Sequence, residues 1–224
     1  MQKEELTNLL QTTFPFYSSL SDTDKNTLIR SSQYVKFSKA DNVHNGNDCT
    51  GVILVLKGSL RLYMLSDEGK EITLYRLFAK DMCMLSASCV LSAITFDVFV
   101  DAEEESECVV IGGCALEDIS NRYKEAKIFV LETALSRFSD VMWVMQQILF
   151  MSMDKRLAIF LLDESANTKS DIIHLTHEQI AKYMASAREV VTRMLKYFSN
   201  EGLVDSSRKG IKLLDKKRLR ALAG

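Results

Sequence analysis

Five residues near the C-terminus, Arg188, Glu189, Thr192, Arg193 and Lys196, recur at the spacing of one helical face. An arginine on such a face can donate two hydrogen bonds to guanine O6 and N7, and a glutamate can accept one from the cytosine amino group. Threonine and lysine suit phosphate oxygens. The set predicts a surface that binds nucleic acid, although Glu189 can also act in the capping of its own helix.

The surrounding segment, residues 175–204, carries the local signals of a helix-turn-helix. Two capping boxes predict two helix starts, one at Thr176 with Gln179 and one at Ser186 with Glu189. A glycine then stands where a left-handed residue would end the second helix, and the sequence LVDSSRKGIKLLD after it is typical of a β-hairpin wing. The predicted DNA-binding residues are Thr176, Ser186, Arg188, Glu189, Thr192, Arg193, Lys196, Arg208 and Lys209.

Charge is distributed unevenly along the chain. Residues 182–224 hold 11 Lys/Arg and 4 Asp/Glu, although the full 224 residues have a net charge of −2. A basic end on an acidic body predicts a polyanionic partner. No apolar run reaches the roughly 20 residues of a membrane span, and the N-terminus lacks a signal-peptide pattern. We therefore expect a cytoplasmic protein without a membrane partner and, since no catalytic constellation stands out, not an enzyme.

Short alternating apolar runs from Gln33 to about Gly113 predict β-strands separated by turns. Many short strands at regular spacing favour a β-barrel or jelly roll. The fold class predicted for the whole chain is α+β, with this β-rich part followed by helices. The predicted strands are 51–58, 59–65, 71–78, 94–100 and 107–113.

A heptad pattern after residue 116 predicts one long helix. Apolar residues recur there at alternating steps of three and four, which is typical of a coiled-coil seam, and a second apolar stripe adjoins it at Ala134, Val141, Val144 and Ile148. A helix with two apolar faces can pack on its own domain and on a second copy. The predicted dimer-interface residues are Ile128, Leu131, Leu135, Phe138, Met142, Met145 and Leu149.

With these elements in order, the chain resembles the Crp/Fnr family of transcription regulators over essentially its whole length. The segments GVILVLKGSLRLYMLSDEGKEITLYRLFAKD and LTHEQIAKYMASAREVVTRMLKYFSNEGLV carry the resemblance. It implies a β-roll (double-stranded jelly roll) sensor domain over 1–114, a dimerisation helix over 115–150 and a winged helix-turn-helix over 151–224. It also implies that Arg188 and neighbouring residues read bases.

The resemblance further implies a homodimer on a two-fold-related duplex, with RNA polymerase as a partner. An effector would shift the population between two arrangements of the paired helices, with a hinge near residues 150–154. A regulatory β-roll that acts on a protein partner is the alternative from another class, and the complete basic winged helix argues against it.

Relatives that bind cyclic nucleotides carry a Gly-Glu and an Arg-Ser-Ala that hold the ribose and the phosphate. Here Met84-Leu85 falls near the first motif, and Asp97 lies near the second. No arginine occurs between Leu77 and Asn121, and a buried phosphate needs compensating charge. The sequence therefore argues against cAMP and predicts no cofactor and an unknown, different effector. The predicted effector-pocket residues are Met82, Cys83, Met84, Leu85, Ser86, Ser88, Cys89, Phe96, Asp97, Ser136 and Ser139.

The five cysteines lack the spacing of a zinc or iron–sulfur site, so no metal is predicted. Their odd number and the absence of a CxxC pair fit a reducing compartment better than a disulfide framework. Buried small hydrophobes are the expected role. Thiol redox sensing by Cys83 and Cys89, and haem ligation by His44, remain alternatives.

Overall fold

The computed structural model describes residues 1–46, 49–87, 90, 96–207 and 209–224. The chain divides into two compact units. The first comprises residues 1–69 and 74–141, and the second comprises residues 70–73 and 142–224.

Helices occupy both ends of the described chain, and strands dominate residues 32–111. The helices are α1 (Lys3–Thr13), α2 (Asp22–Arg30), α3 (Gly113–Arg122), α4 (Lys124–Phe150), α5 (Met153–Thr168), α6 (His177–Tyr183), α7 (Arg188–Asn200) and α8 (Lys216–Ala223). The strands are β1 (Ser32–Phe37), β2 (Asn42–His44), β3 (Val52–Lys57), β4 (Leu60–Leu65), β5 (Glu71–Leu77), β6 (Met82–Cys83), β7 (Phe99–Ala102), β8 (Ser106–Ile111), β9 (Ile172–Ile173), β10 (Val204–Ser207) and β11 (Gly210–Leu213).

The first unit contains two four-stranded sheets with the orders β1-β8-β3-β6 and β2-β7-β4-β5. The residues of β3 alternate between two cores because successive side chains of a strand point to opposite faces. Ile53 and Val55 join a core that both sheets enclose, which we call the roll interior. Leu54 instead joins a core formed with the N-terminal helices and α4. This architecture confirms the predicted α+β fold with a β-roll.

Two boundaries within the first unit differ from the prediction. The region 115–150 is not one helix, since α3 ends at Arg122 and α4 begins at Lys124, with the extended residue Tyr123 between them. The strand predicted over 94–100 lies partly outside the described residues, and the observed strand β7 begins only at Phe99. A periodic apolar pattern did not reveal the single extended residue that separates two helices.

A network around Asp24 joins α2 to the α3–α4 junction. Its carboxylate accepts hydrogen bonds from Arg122 Nη2 (2.7 Å), Arg122 Nη1 (3.0 Å) and the hydroxyl groups of Tyr123 and Ser21 (2.7 Å each). These bonds, chiefly the one from Arg122, lower the pKa of Asp24 to about 2. The side chain is almost fully buried, so the ionised form depends on these donors.

The second unit is built around a core of α5, α6, α7 and α8 with a small sheet of order β10-β11-β9. The β10–β11 hairpin closes with Ser207 opposite Gly210, which confirms the wing predicted from the sequence. Gly210 has φ +123°, and a Cβ atom there would lie 2.7 Å from the Ile173 carbonyl oxygen of β9. Among the described residues, no helix is both long enough and apolar enough to cross a membrane.

Candidate nucleic-acid interface

The first helix of the motif, α6, starts as the sequence predicted. The Thr176 hydroxyl accepts a hydrogen bond from the Gln179 backbone N–H (3.1 Å), and the Gln179 side chain accepts one from the Thr176 N–H (2.9 Å). This reciprocal pair is a capping box, which satisfies two N–H groups that the helix cannot bond itself. Ile180 and Ala181 then bury the inner face of the helix.

The predicted second capping box is wrong. The residue before α7 is Ala187, no side chain caps the helix, and Glu189 is already its second residue. The turn is longer than expected because Ala185 adopts a left-handed conformation with φ +47°. The Ser186 hydroxyl instead contacts the Met153 sulfur at 3.8 Å. Glu189 is therefore released from capping and is exposed for other contacts.

The C-terminal end of α7 follows the prediction. Gly202 has φ +69°, the Leu203 N–H donates to the Phe198 carbonyl oxygen (2.9 Å), and the Gly202 N–H donates to the Ser199 carbonyl oxygen (3.0 Å). These two bonds define a Schellman motif, which satisfies carbonyl groups at a helix end. Leu203 is buried, so the chain turns directly into β10.

Helix α7 separates a buried apolar face from an exposed polar face. Val191, Leu195 and Phe198 are buried in the core of the second unit. The opposite face carries exposed side chains that line one shallow depression, Arg188, Glu189, Thr192, Arg193 and Lys196. The three cations of this face have no ion-pair partner among the described residues. Their charge is available to an external anion.

One contact on this face was missed from the sequence. His177, the first residue of α6, lies with its Nδ1 2.9 Å from the Thr192 hydroxyl oxygen of α7. The two residues are 15 positions apart, so no local pattern could pair them. The contact limits the rotation of the Thr192 side chain at the centre of the polar face.

The remaining predicted DNA contacts lie at the edges of this face or outside the described residues. Thr176 is exposed at the start of α6, Ser186 is half-buried in the turn, and Lys209 is exposed in the wing loop. Arg208 lies outside the described residues.

Helix α4 exposes the whole predicted heptad seam within this single chain. Leu135 and Leu149 expose 65% and 63% of their surface, and the other five predicted residues between 43% and 60%. The second apolar stripe faces inward at Ala134, Val141 and Val144, which are half-buried. An uncovered apolar strip of this length indicates an interaction surface.

The residues of the predicted effector pocket do not share one surface. Cys83 and Leu85 contribute to the roll interior, whereas Met82 and Met84 lie in the other core, because the strand directs alternate side chains to opposite faces. The Ser86 hydroxyl is buried and donates to the Gly51 carbonyl oxygen at 2.7 Å. Four further residues are exposed, Phe96, Asp97, Ser136 and Ser139. Ser88 and Cys89 lie outside the described residues.

Polar groups that were not among the predicted effector-pocket residues lie at the margin of the roll interior. Burial raises the pKa of the Tyr75 hydroxyl well above its usual value. The guanidinium of Arg137 lies 5.2 Å from the Tyr75 ring. Arg137 donates to Asp140 through Nη1 (3.0 Å) and faces Asp81 across 3.7 Å. Helix phase decides this placement, since Ser136 and Ser139 on either side of Arg137 point outward.

The cysteines fall into three environments. Cys83 and Cys108 are buried free thiols, and burial raises the pKa of Cys83 and that of Cys108, the latter to about 12. Cys114 is a free, exposed thiol. Cys49 is disulfide-bonded, which differs from the expectation that every cysteine is reduced. His44, the alternative haem ligand, is buried with its Nδ1 2.7 Å from the Thr50 hydroxyl oxygen.

A β-roll, a long helix with an apolar seam and a winged helix-turn-helix together define a class of DNA-binding transcription regulators. Residues 155–222 match the family model of the Crp-like helix-turn-helix domain. A solved structure described as a transcriptional regulator of the Crp/Fnr family from Eubacterium rectale is 44% identical, with 95% of this chain and 99% of that chain covered and a TM-score of 0.89. This chain belongs to the Crp/Fnr family of transcription regulators.

Two more distant proteins are also similar to this chain. The transcriptional activator protein Anr of Pseudomonas aeruginosa is 25% identical over 187 residues, which is 80% of this chain and 75% of that protein. FixK2 of Bradyrhizobium japonicum is 17% identical, covers 86% of this chain and 98% of its own, and shares the fold with a TM-score of 0.73. Regulators of this family bind DNA and act as dimers.

Proposed function

We propose that this protein is a homodimeric regulator that binds a two-fold-related DNA sequence through α7 and responds to a small effector other than a cyclic nucleotide. The observation that carries the DNA part is the polar face of α7, where Arg188, Arg193 and Lys196 are exposed and unpaired among the described residues. Arg188, Glu189 and Arg193 are the proposed base readers, and Thr192 and Lys196 the proposed phosphate contacts.

The exposed seam of α4 supports the dimer. Two copies of α4 that pair along this seam would remove Leu131, Leu135 and Phe138 from water, and each residue so buried contributes about 1.5–3 kcal/mol. A dimer also supplies two α7 helices, which is what a two-fold-related duplex requires. RNA polymerase, a partner typical of the family, is part of the proposal.

Two features argue against a cyclic nucleotide as the effector. Near the position of the family's Gly-Glu motif, Met84 and Leu85 are buried apolar side chains and the Ser86 hydroxyl is committed to Gly51. Residues 82–97 contain no lysine or arginine, and Asp97 stands near the position of the family's second motif. A buried phosphate needs a cation that is not already neutralised. The effector would shift the population between two states of the dimer.

The DNA proposal is tested by selection from a pool of random duplexes with the full-length protein. We expect enrichment of a two-fold-related sequence whose half-sites lie about 10 base pairs apart. The affinity for it should fall steeply as salt rises, because phosphate contacts release counterions. Enrichment of no sequence, or an affinity indifferent to salt, would contradict the proposal.

A thermal-shift series addresses the effector separately. Addition of cAMP or cGMP at about 1 mM should leave the melting temperature unchanged, since a ligand stabilises a protein only by binding its folded state. A clear rise in the melting temperature with either nucleotide would overturn this part while leaving DNA binding untouched.

A further inference from the structure

A cleft of about 720 Å³ lies on the outer side of the β3–β6 sheet, between the end of α1 and the middle of α4. We call it the outer cleft. Its sheet-side wall includes Leu54 and Met82, which belong to the core outside the roll, whereas Ile53 and Cys83 point into the roll interior. The outer cleft therefore lies mainly outside the roll interior, although Val55 of that interior also lines it. Its volume falls within the range of about 300–1,000 Å³ that is typical of small-molecule sites.

Apolar and polar side chains line the outer cleft in equal number, and two of the polar ones are cations. Leu9 and Phe129 face it from α1 and α4. Lys80 and Arg137 also line it, and the Lys80 ammonium has no ion-pair partner among the described residues. The Nε of Arg137 is buried and donates to no acceptor among the described residues. Buried donors in native proteins are nearly always bonded, so this N–H indicates a missing acceptor.

The two carboxylates around the outer cleft disfavour a ligand with more than one negative charge. Asp81 also lines the outer cleft, its Oδ2 accepts from the Phe78 N–H at 2.8 Å, and Asp140 holds one end of the Arg137 guanidinium. A phosphate dianion would be repelled by two carboxylates, whereas one carboxylate can accept from the Lys80 ammonium and the Arg137 Nε–H together. An apolar body would then contact Leu9, Phe129 and the sheet.

We propose that the outer cleft binds a small carboxylic acid with an apolar body, such as a medium-chain fatty acid. The carboxylate contacts Lys80 and Arg137, and the chain lies toward α1. This site goes beyond the proposed function, because it does not depend on DNA binding, on dimerisation or on an effector in the roll interior.

Isothermal titration of the full-length protein with octanoate tests the site, with octanamide as the neutral ligand of matched shape. We expect saturable binding of octanoate, and binding of octanamide about fivefold weaker because its head group carries no charge. The variant Lys80→Asn should weaken octanoate about fivefold and leave octanamide unchanged. Lys80 has φ +81°, and asparagine tolerates that conformation, so the backbone should not change.

Two further variants make the result decisive. Lys39→Asn removes the same charge from an exposed lysine outside the outer cleft and should leave octanoate binding unchanged. Thr12→Trp places a bulky side chain at the exposed rim formed by α1 and should block both ligands. The proposal fails if octanoate shows no saturable binding up to about 10 mM. It also fails if Lys80→Asn and Lys39→Asn bind octanoate equally, since the charge would then act only at long range.

Discussion

Helices α4 and α7 each leave one face uncovered, but the chemistry of the two faces is opposite. Leu135 at the centre of the α4 seam exposes 65% of its surface, whereas the open face of α7 carries charged and hydroxyl side chains. Helix α7 is an ordinary amphipathic helix whose apolar side is already buried in its own unit. Helix α4 has apolar residues on both sides, and the described chain covers only one of these sides.

The comparison separates two kinds of partner. An exposed apolar strip gains free energy when a second protein surface removes it from water. An exposed face with unpaired cations gains little from a protein core and much from a polyanion, since counterion release adds to the direct contacts. Substitutions that place a charge on the apolar seam of α4, or that remove a cation from the polar face of α7, are therefore the strongest tests of these two proposed partners.

The largest effect is expected for Leu135→Asp. A carboxylate in the middle of the apolar seam would be buried without a partner, so dimerisation should weaken by at least about 100-fold. Analytical ultracentrifugation measures the change. Ser136→Asp introduces the same charge at a neighbouring exposed residue off the seam and should remain dimeric. A Leu135→Asp protein that sediments like the wild type would show that α4 is not the interface.

Arg193→Ala should lower the affinity for the selected duplex by about 10–100-fold and relax the preference at one base pair, because a bidentate arginine–guanine contact is lost. The melting temperature should not change, since Arg193 is exposed and has no ion-pair partner among the described residues. Lys217→Ala, an equal loss of charge from exposed helix α8, serves as the control. If both variants bind equally well, α7 does not read the sequence.

Arg122→Ala tests the stability of the fold separately from binding, because Arg122 lies neither on the seam of α4 nor on the polar face of α7. Removal of its two hydrogen bonds to the buried Asp24 should lower the free energy of unfolding by about 1–3 kcal/mol near neutral pH. The folded pKa of about 2 lies below the ordinary value of 3.8, so this stabilisation is present above about pH 4 and is lost as the pH falls toward 2.

Denaturant unfolding of wild type and Arg122→Ala at a series of pH values provides the measurement. The difference in the free energy of unfolding between the two proteins should narrow as the pH falls. Arg30→Ala, which removes an exposed arginine of α2, should not differ from the wild type. A difference in the free energy of unfolding that stays constant down to pH 2 would mean that Arg122 does not stabilise the fold through Asp24.

The smallest effect is expected for His177→Ala. Loss of its contact with Thr192 should weaken DNA binding about two- to fivefold, as for a single exposed hydrogen bond. A double-mutant cycle with Thr192→Val should show non-additive losses, because each variant removes the same contact. Glu178→Ala is the neighbouring control. Additive losses would indicate that the two residues act independently on DNA.

The sequence predicted most of the second unit because its signals are local. The capping box at Thr176 and the left-handed Gly202 depend on residues within one or two helical turns. The failed capping box at Ser186 shows the limit of such signals. The spacing of a serine and a glutamate is the same whether or not the chain adopts the required conformation, and a left-handed Ala185 moved the helix start.

For the first unit, the sequence predicted the fold but not how the residues of the effector pocket are arranged. The strand pattern and the heptads gave the β-roll and the seam of α4. Most of the predicted effector pocket came from one short stretch, residues 82–89, although the pairing of Ile53 with Cys83 sends neighbouring side chains into two different cores. From the sequence, α4 could contribute Ser136, Arg137 or Ser139, and the apolar pattern does not show which polar residues of a half-covered helix turn inward.

By itself the sequence determined most of the helices and strands, the two uncovered faces and the family. Hydrogen bonding and apolar periodicity within a helix or strand depend on residues that are neighbours in the chain. Only the tertiary structure decided what lies together: Tyr75 with Arg137, His177 with Thr192, and the outer cleft between α1 and α4. Each of these joins residues far apart in the chain, and their proximity depends on how the elements pack and not on the propensity of any one of them.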